Sequence, residues 1–123
     1  MSITGLDHVQ LAAPAGCESE ARRFFGGMLG LTEIEKPPIL RARGGAWFRV
    51  GPQQLHVGVQ EDFAPARKAH PALRVEQSML DELAARLAAA GFEVAWDDAL
   101  EDARRFYTSD PWGNRIELLS AGA

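Results

Sequence analysis

The sequence is poor in cysteine and in clustered positive charge, and it has no long apolar run. Cys17 is its only cysteine, which excludes a disulfide within the chain. Its 13 basic residues are outnumbered by 17 acidic ones, and they form no concentrated face of the kind that binds nucleic acid. No apolar stretch approaches the roughly 20 residues that span a bilayer.

The first residues, MSITGLDHVQLAAP, also lack the basic start and apolar run of a signal peptide. We therefore expect a protein of the reducing cytoplasm, without nucleic-acid or membrane partners. The composition is otherwise that of an ordinary globular protein, with 46% hydrophobic and 24% charged residues, and 123 residues suit one domain.

Within that domain, one order of elements is predicted twice: a strand, a helix and three strands. Module one covers about residues 1–60, a polar linker about 61–69, and module two about 70–123. The first copy is predicted as strand Leu6–Ala12, a helix from about Glu18 to Leu29, and strands at Thr32–Glu35, Ala46–Val50 and Gln54–Val59. The second is predicted as strand Pro71–Val75, a helix ending near Ala90, and strands at Phe92–Trp96, Arg104–Ser109 and Arg115–Leu119.

The two copies align residue by residue at positions that bear on chemistry. His8 aligns with His70, His56 aligns with Glu117, and the segment LGLTEI aligns with AGFEVA. Chance could produce one such match, but it does not easily produce the whole order of elements with its glycines in register. The sequence therefore indicates an internal repeat.

Alternation along the strands separates these residues from the apolar side chains. Val9 and Leu11 share one side of their strand, which leaves His8 and Gln10 on the other. The same rule opposes His56, His70 and Glu117 to apolar neighbours. Because the helices cover the apolar sides, all three histidines and this glutamate are expected on the side turned away from the helices.

Imidazoles and a carboxylate are a natural ligand set for a divalent transition metal. A single histidine on a strand is more often a surface residue or a hydrogen-bonded core residue. The joint placement of these residues at equivalent repeat positions is what favours a metal site.

Three segments resemble the glyoxalase/bleomycin-resistance/extradiol-dioxygenase superfamily, also called the vicinal oxygen chelate superfamily. The segments are GLDHVQLAAP, AHPALRV and, most specifically, RRFYTSDPWGNRIELL. The resemblance covers essentially the whole chain. It implies an α+β fold of two βαβββ modules that form a cupped, eight-stranded mixed sheet with helices outside.

The resemblance also implies a metal site and a substrate cavity. His8, His70 and Glu117 match the recurring ligands of a zinc, iron, nickel, cobalt or manganese ion, and His56 matches a fourth position that is a ligand in only some members. His56 and Tyr107 are the candidate catalytic residues, and Tyr107 also matches a residue that lines the cavity. Family members commonly form homodimers, so a homodimer is expected.

Other residues of this cavity follow from alternation. Arg105 is expected on the side of Tyr107, and Gln10 on that of His8. If Phe48 packs on the helix, Trp47 and Arg49 line the cavity, where the arginine could hold an anionic substrate. The alternative is that Trp47 and Arg49 form a surface pair.

The departures from the family pattern leave two functions open. Glyoxalase I has a glutamate where this chain has His56, and the extra cation- and phosphonate-binding residues of fosfomycin-resistance enzymes are not found. One prediction is a metal-dependent lyase, isomerase or dioxygenase that chelates neighbouring oxygens of a small molecule. The alternative is a bleomycin-resistance-type protein that binds a small molecule without turnover, although such proteins lack the metal triad.

Overall fold

The order of elements in the computed structural model, which describes residues 2–121, repeats once. The first copy consists of β1 (His8–Ala13), α1 (Glu18–Ala21) with a π-helical continuation (Arg22–Met28), β2 (Thr32–Ile34), a 3₁₀-helix (Pro38–Arg43), β3 (Ala46–Val50) and β4 (Gln53–Val59). The second consists of β5 (Ala72–Arg74), α2 (Gln77–Ala89), β6 (Ala95–Asp97), β7 (Ala103–Ser109) and β8 (Arg115–Ala121). No helix in this part of the chain could cross a membrane.

The two copies form two compact units whose boundary lies between Ala64 and Pro65, inside the predicted linker. Their hydrogen-bond ladders make two four-stranded sheets of equivalent order, β1-β4-β3-β2 and β5-β8-β7-β6. The first and last strands of each copy pair in parallel, and the other neighbours are antiparallel. This topology confirms the predicted α+β fold with eight strands and a repeated βαβββ unit.

The core of the first unit lies between the helix and one face of its sheet. The ring of Phe25 lies 5.6 Å from that of Phe48 on β3, and both rings are fully buried. Leu55 and Val57 of β4 are buried on the same face, because Phe48 pairs with Leu55 in the ladder. The polar residues of these strands therefore lie on the opposite face, as alternation predicts.

The first helix differs from the predicted α-helix because it widens after Ala21. The N–H of Leu29 donates to the carbonyl of Phe24, five residues earlier, at 2.9 Å. The wider turns coincide with the burial of both Phe24 and Phe25 and with Gly26-Gly27. The positions of Phe24 and Phe25 after Ala21 also fit an ordinary α-helical period, so the sequence pattern predicts their burial but gives no sign of the widening.

The second unit repeats this packing with α2 over β8. Leu80, Leu83 and Leu87 form the buried stripe of the helix, and Ile116 and Leu118 are buried on the strand. Strands β5 and β6 are shorter than predicted. The missing residues of β5 include Pro71, which has no N–H to donate, although its carbonyl accepts from the N–H of Glu117 at 3.0 Å.

The turn between β7 and β8 is organised by a buried carboxylate. Asp110 accepts hydrogen bonds from the backbone N–H groups of Trp112 and Asn114 and from the Asn114 side chain, at 3.0, 2.8 and 2.8 Å. Asn114 in turn accepts from the N–H of Ala66 at 2.9 Å. Burial raises the pKa of Asp110, against the opposing effect of these donors. The DPWGN motif therefore sets the register in which β8 presents Glu117.

Candidate functional site

The face of the first sheet turned away from its helix carries a stack of three rings. The His56 ring lies 3.7 Å from the Trp47 ring, with only 2° between their planes, and 4.3 Å from the His8 ring. Trp47 faces His56 across the β3–β4 ladder. His56 is only 4% exposed, so its imidazole is fixed between the two rings.

Hydrogen bonds orient both imidazoles of this stack. Nε2 of His56 lies 2.8 Å from Oε1 of Gln54, and Nδ1 of His8 lies 2.9 Å from a carboxylate oxygen of Asp7. Because a carboxylate only accepts, Nδ1 of His8 carries the proton, which leaves the lone pair of Nε2 in the neutral ring. Burial, and secondly the neighbouring His8, lower the pKa of His56.

Gln10 and Arg49 lie on the same face as the stack. Gln10 pairs with His56 in the parallel β1–β4 ladder, and its side chain crosses Gly58. A Cβ at Gly58 would lie 2.5 Å from Nε2 of Gln10, so the glycine makes room for this side chain. Arg49 faces Gln54 across the other ladder and is exposed. Because Phe48 packs on the helix, the structure places Trp47 and Arg49 on the face expected for them.

The equivalent face of the second sheet carries a close pair of a histidine and a glutamate. Nε2 of His70 lies 3.0 Å from Oε1 of Glu117, which is 5% exposed. Nδ1 of His70 lies 2.8 Å from the carbonyl oxygen of Lys68 and must donate to it. In the neutral ring, Nε2 then carries a lone pair, and this lone pair faces a lone pair of the Glu117 carboxylate oxygen. Only a shared proton or a cation makes that contact favourable.

Arg105 contacts the other oxygen of Glu117. Its Nη1 donates to Oε2 of Glu117 at 3.3 Å and its Nη2 to Oδ2 of Asp97 at 3.3 Å. The ring of Tyr107 meets the His70 ring edge-on at 5.4 Å between centroids. Alternation correctly places Arg105 and Tyr107 on the Glu117 face.

Each unit thus brings together one part of the predicted site residues. The first unit groups His8, His56, Trp47, Gln10 and Arg49, and the second groups His70, Glu117, Tyr107 and Arg105. Over residues 2–121, neither unit by itself holds three or more histidine, cysteine or acidic side chains grouped so as to bind a metal ion.

Three residues at these faces were not among the predicted site residues. Gln54 and Arg115 lie two positions before His56 and Glu117, so alternation places each of them on the same face, but nothing in the sequence marked them as part of a site. The guanidinium of Arg115 lies 3.8 Å from the centre of the Tyr107 ring. Asp97 gives no such signal, because its contact with Arg105 depends on the pairing of β6 with β7.

Solved structures of similar fold were found, whereas no protein-family model and no curated protein matches the chain. A protein from Bacillus anthracis described as glyoxalase family is 50% identical over 98% of both chains, with a TM-score of 0.92. The fosfomycin resistance protein FosX from Listeria monocytogenes is 18% identical over 97% of this chain and 94% of its own, with a TM-score of 0.78. Lactoylglutathione lyase from Agrobacterium tumefaciens is 19% identical over 98% and 96%, with a TM-score of 0.74. Because these last two proteins are only 18% and 19% identical to this chain, their similarity to it concerns the fold alone.

Proposed function

Because this chain belongs to the glyoxalase family of the vicinal oxygen chelate superfamily, we propose that it is a metal-dependent enzyme acting on a small oxygenated molecule. Its reaction is of the lyase, isomerase or dioxygenase type. The observation that carries the proposal is the facing pair of His70 and Glu117, whose lone pairs need a cation or a proton between them.

The proposed ligands of one divalent ion are His8, His70 and Glu117, with His56 beside them. The hydrogen bonds support this set: Asp7 on His8 and the Lys68 carbonyl on His70 each hold Nδ1 and direct Nε2 outward, as partners of metal-bound histidines do. The donor set suits zinc, iron, nickel, cobalt or manganese. When bound, the ion supplies Lewis-acid polarisation of two neighbouring substrate oxygens.

The remaining residues of the two faces bind and orient the substrate. His56 is the proposed proton acceptor, since Trp47, His8 and Gln54 hold its ring in one orientation. Tyr107, whose ring meets that of His70 edge-on, offers a hydroxyl. Arg105 neutralises part of the charge on Glu117, so it tunes how strongly that carboxylate binds a cation.

The test is metal content and metal affinity of tag-free protein. One of these five metals is expected at close to one ion per chain, and Glu117→Gln or His70→Ala should weaken its binding at least tenfold. Glu82→Gln is the matched control, because Glu82 lies on the surface of α2, where it pairs with Arg86. Trp47 fluorescence should report binding through its stack on His56. Binding that is equally strong in Glu117→Gln and Glu82→Gln would refute the proposal.

We also propose that the chain forms a homodimer, on the basis of its family. Light scattering should then give twice the chain mass of 13.4 kDa. Mixing His8→Ala with Glu117→Gln protein tests whether two chains share one site, since a shared site is restored in part of the mixed dimers. A monomer at micromolar concentration would contradict the dimer.

A further inference from the structure

A second group of polar residues in the second unit borders the face that carries Glu117. It surrounds a cavity of about 260 Å³ and includes Arg67, Glu93, Tyr107, Ser109 and Arg115. In the β7–β8 ladder, Tyr107 faces Glu117 and Ser109 faces Arg115, so these four side chains lie on one face of the sheet. The cavity therefore begins where the His70–Glu117 pair ends, with Tyr107 shared by both.

The Tyr107 ring orients Arg115 within this cavity. The guanidinium carbon lies 3.8 Å above the ring centre, which is the distance of a stacked cation. Stacking occupies the face of the guanidinium and leaves its N–H donors around the edge. A planar group held in this way binds a carboxylate through two parallel hydrogen bonds at little cost in side-chain entropy.

The charges around the cavity are not neutralised by ion pairs among the described residues. Five other arginines form ion pairs with carboxylates: Arg22, Arg41, Arg86, Arg104 and Arg105. Over residues 2–121, neither Arg67 nor Arg115 has a carboxylate within ion-pair distance. Glu93 likewise has no cationic side chain within that distance in this part of the chain. Two arginines and one glutamate leave a net single positive charge, which suits a monoanion better than a dianion.

We propose that this cavity binds the carboxylate group of a small monoanionic substrate. Its assignment to the substrate rests on the proposed function, whereas anion binding itself does not require the metal. Arg115 and Glu117 are two residues apart on β8, so their Cα atoms are separated by about 7 Å. The proposal assigns the carboxylate to a part of the substrate other than the two oxygens that the ion would chelate.

The test is an NMR titration of the Arg115 side-chain Nε–H signal in metal-free protein, with two probes that differ in charge and by one methyl group. Monomethyl succinate carries one carboxylate, and dimethyl succinate is its neutral counterpart. Saturable binding of the monoanion is expected with Kd in the millimolar range, and binding of the diester should be at least tenfold weaker. In the variants, binding is followed by the backbone N–H signals of residues around the cavity instead of the Arg115 side-chain signal.

The variants separate a binding role from a structural one. Arg115→Gln and Arg67→Gln should each weaken binding of monomethyl succinate severalfold, whereas Arg23→Gln, an equal charge change on the helix of the first unit, should leave it unchanged. Glu93→Gln should strengthen binding, and it should strengthen binding of inorganic phosphate more, because it removes the charge that repels a dianion.

The proposal is overturned if the diester binds as well as the monoanion, if Arg115→Gln binds like the unaltered protein, or if no binding of the monoanion is detected. A zinc titration of the same samples separates the two proposals. If the protein binds the carboxylate but not zinc, the metal site alone is refuted. If it binds zinc but not the carboxylate, this subsite alone is refuted.

Discussion

Gly45, the residue before β3, should be the least tolerant of a side chain among the glycines that the structure describes. Its φ is +86°, and a Cβ there would lie 2.0 Å from the carbonyl oxygen of Val57. Its N–H donates to Oε2 of Glu18 at 2.6 Å. Gly51 is the matched control, since its φ is +56° but nothing lies within 4 Å of an added Cβ.

The two substitutions share one cost and differ in another. Alanine with positive φ costs about 1–2 kcal/mol, which is the whole expected effect of Gly51→Ala. In Gly45→Ala the overlap is with backbone, so no rotamer change relieves it, and overpacking adds about 1–3 kcal/mol. Displacing β3 also weakens the hydrogen bond to Glu18, by about 1 kcal/mol. We expect Gly45→Ala to lower the free energy of unfolding by about 4 kcal/mol in total.

Urea denaturation followed by circular dichroism measures both variants. A loss of about 4 kcal/mol is a large share of the 5–15 kcal/mol that stabilises a typical domain, so Gly45→Ala should have a much lower midpoint or fail to fold. Gly51→Ala should remain folded with a slightly lower midpoint. If the two variants differ by less than about 1 kcal/mol, the backbone of β4 is not in the way and the reasoning is refuted.

Three further predictions concern stability. Thr108→Val should raise the free energy of unfolding by about 1 kcal/mol, because Oγ1 of this buried residue has no hydrogen-bond partner among residues 2–121. If urea denaturation instead shows a lower free energy of unfolding, the hydroxyl does have a hydrogen-bond partner. Gly27→Ala should stabilise by about 0.5–1 kcal/mol, since the glycine is helical with open space around it, and an unchanged or lower melting temperature would contradict this. The bond from the Gly45 N–H lowers the pKa of Glu18, so the stability that Glu18 contributes is present above its unfolded pKa and is lost as the pH falls through its lower folded value. Denaturation midpoints of the unaltered protein and Glu18→Gln should accordingly converge on acidification, and a gap that stays constant would refute the role of this bond.

The sequence by itself determined the features that depend on neighbours in the chain. Strand alternation placed His8, His56 and Glu117 on the face away from the helices, because a two-residue period is a property of any extended backbone. The repeated order of strands, helices and glycines determined the βαβββ units. These signals are local, and the fold bears them out.

Only the tertiary structure decided which side chains meet across strands. The stack of Trp47 on His56 and the contact of Arg105 with Asp97 follow from the registers of β3 with β4 and of β7 with β6. The approach of His70 to Glu117 depends on where the chain enters β5. The register of a strand pair is chosen by the geometry of the turn between the strands and by hydrogen bonds and packing across the ladder, and a shift of one residue turns every side chain to the other face. The composition and periodicity of a single strand carry no record of that choice.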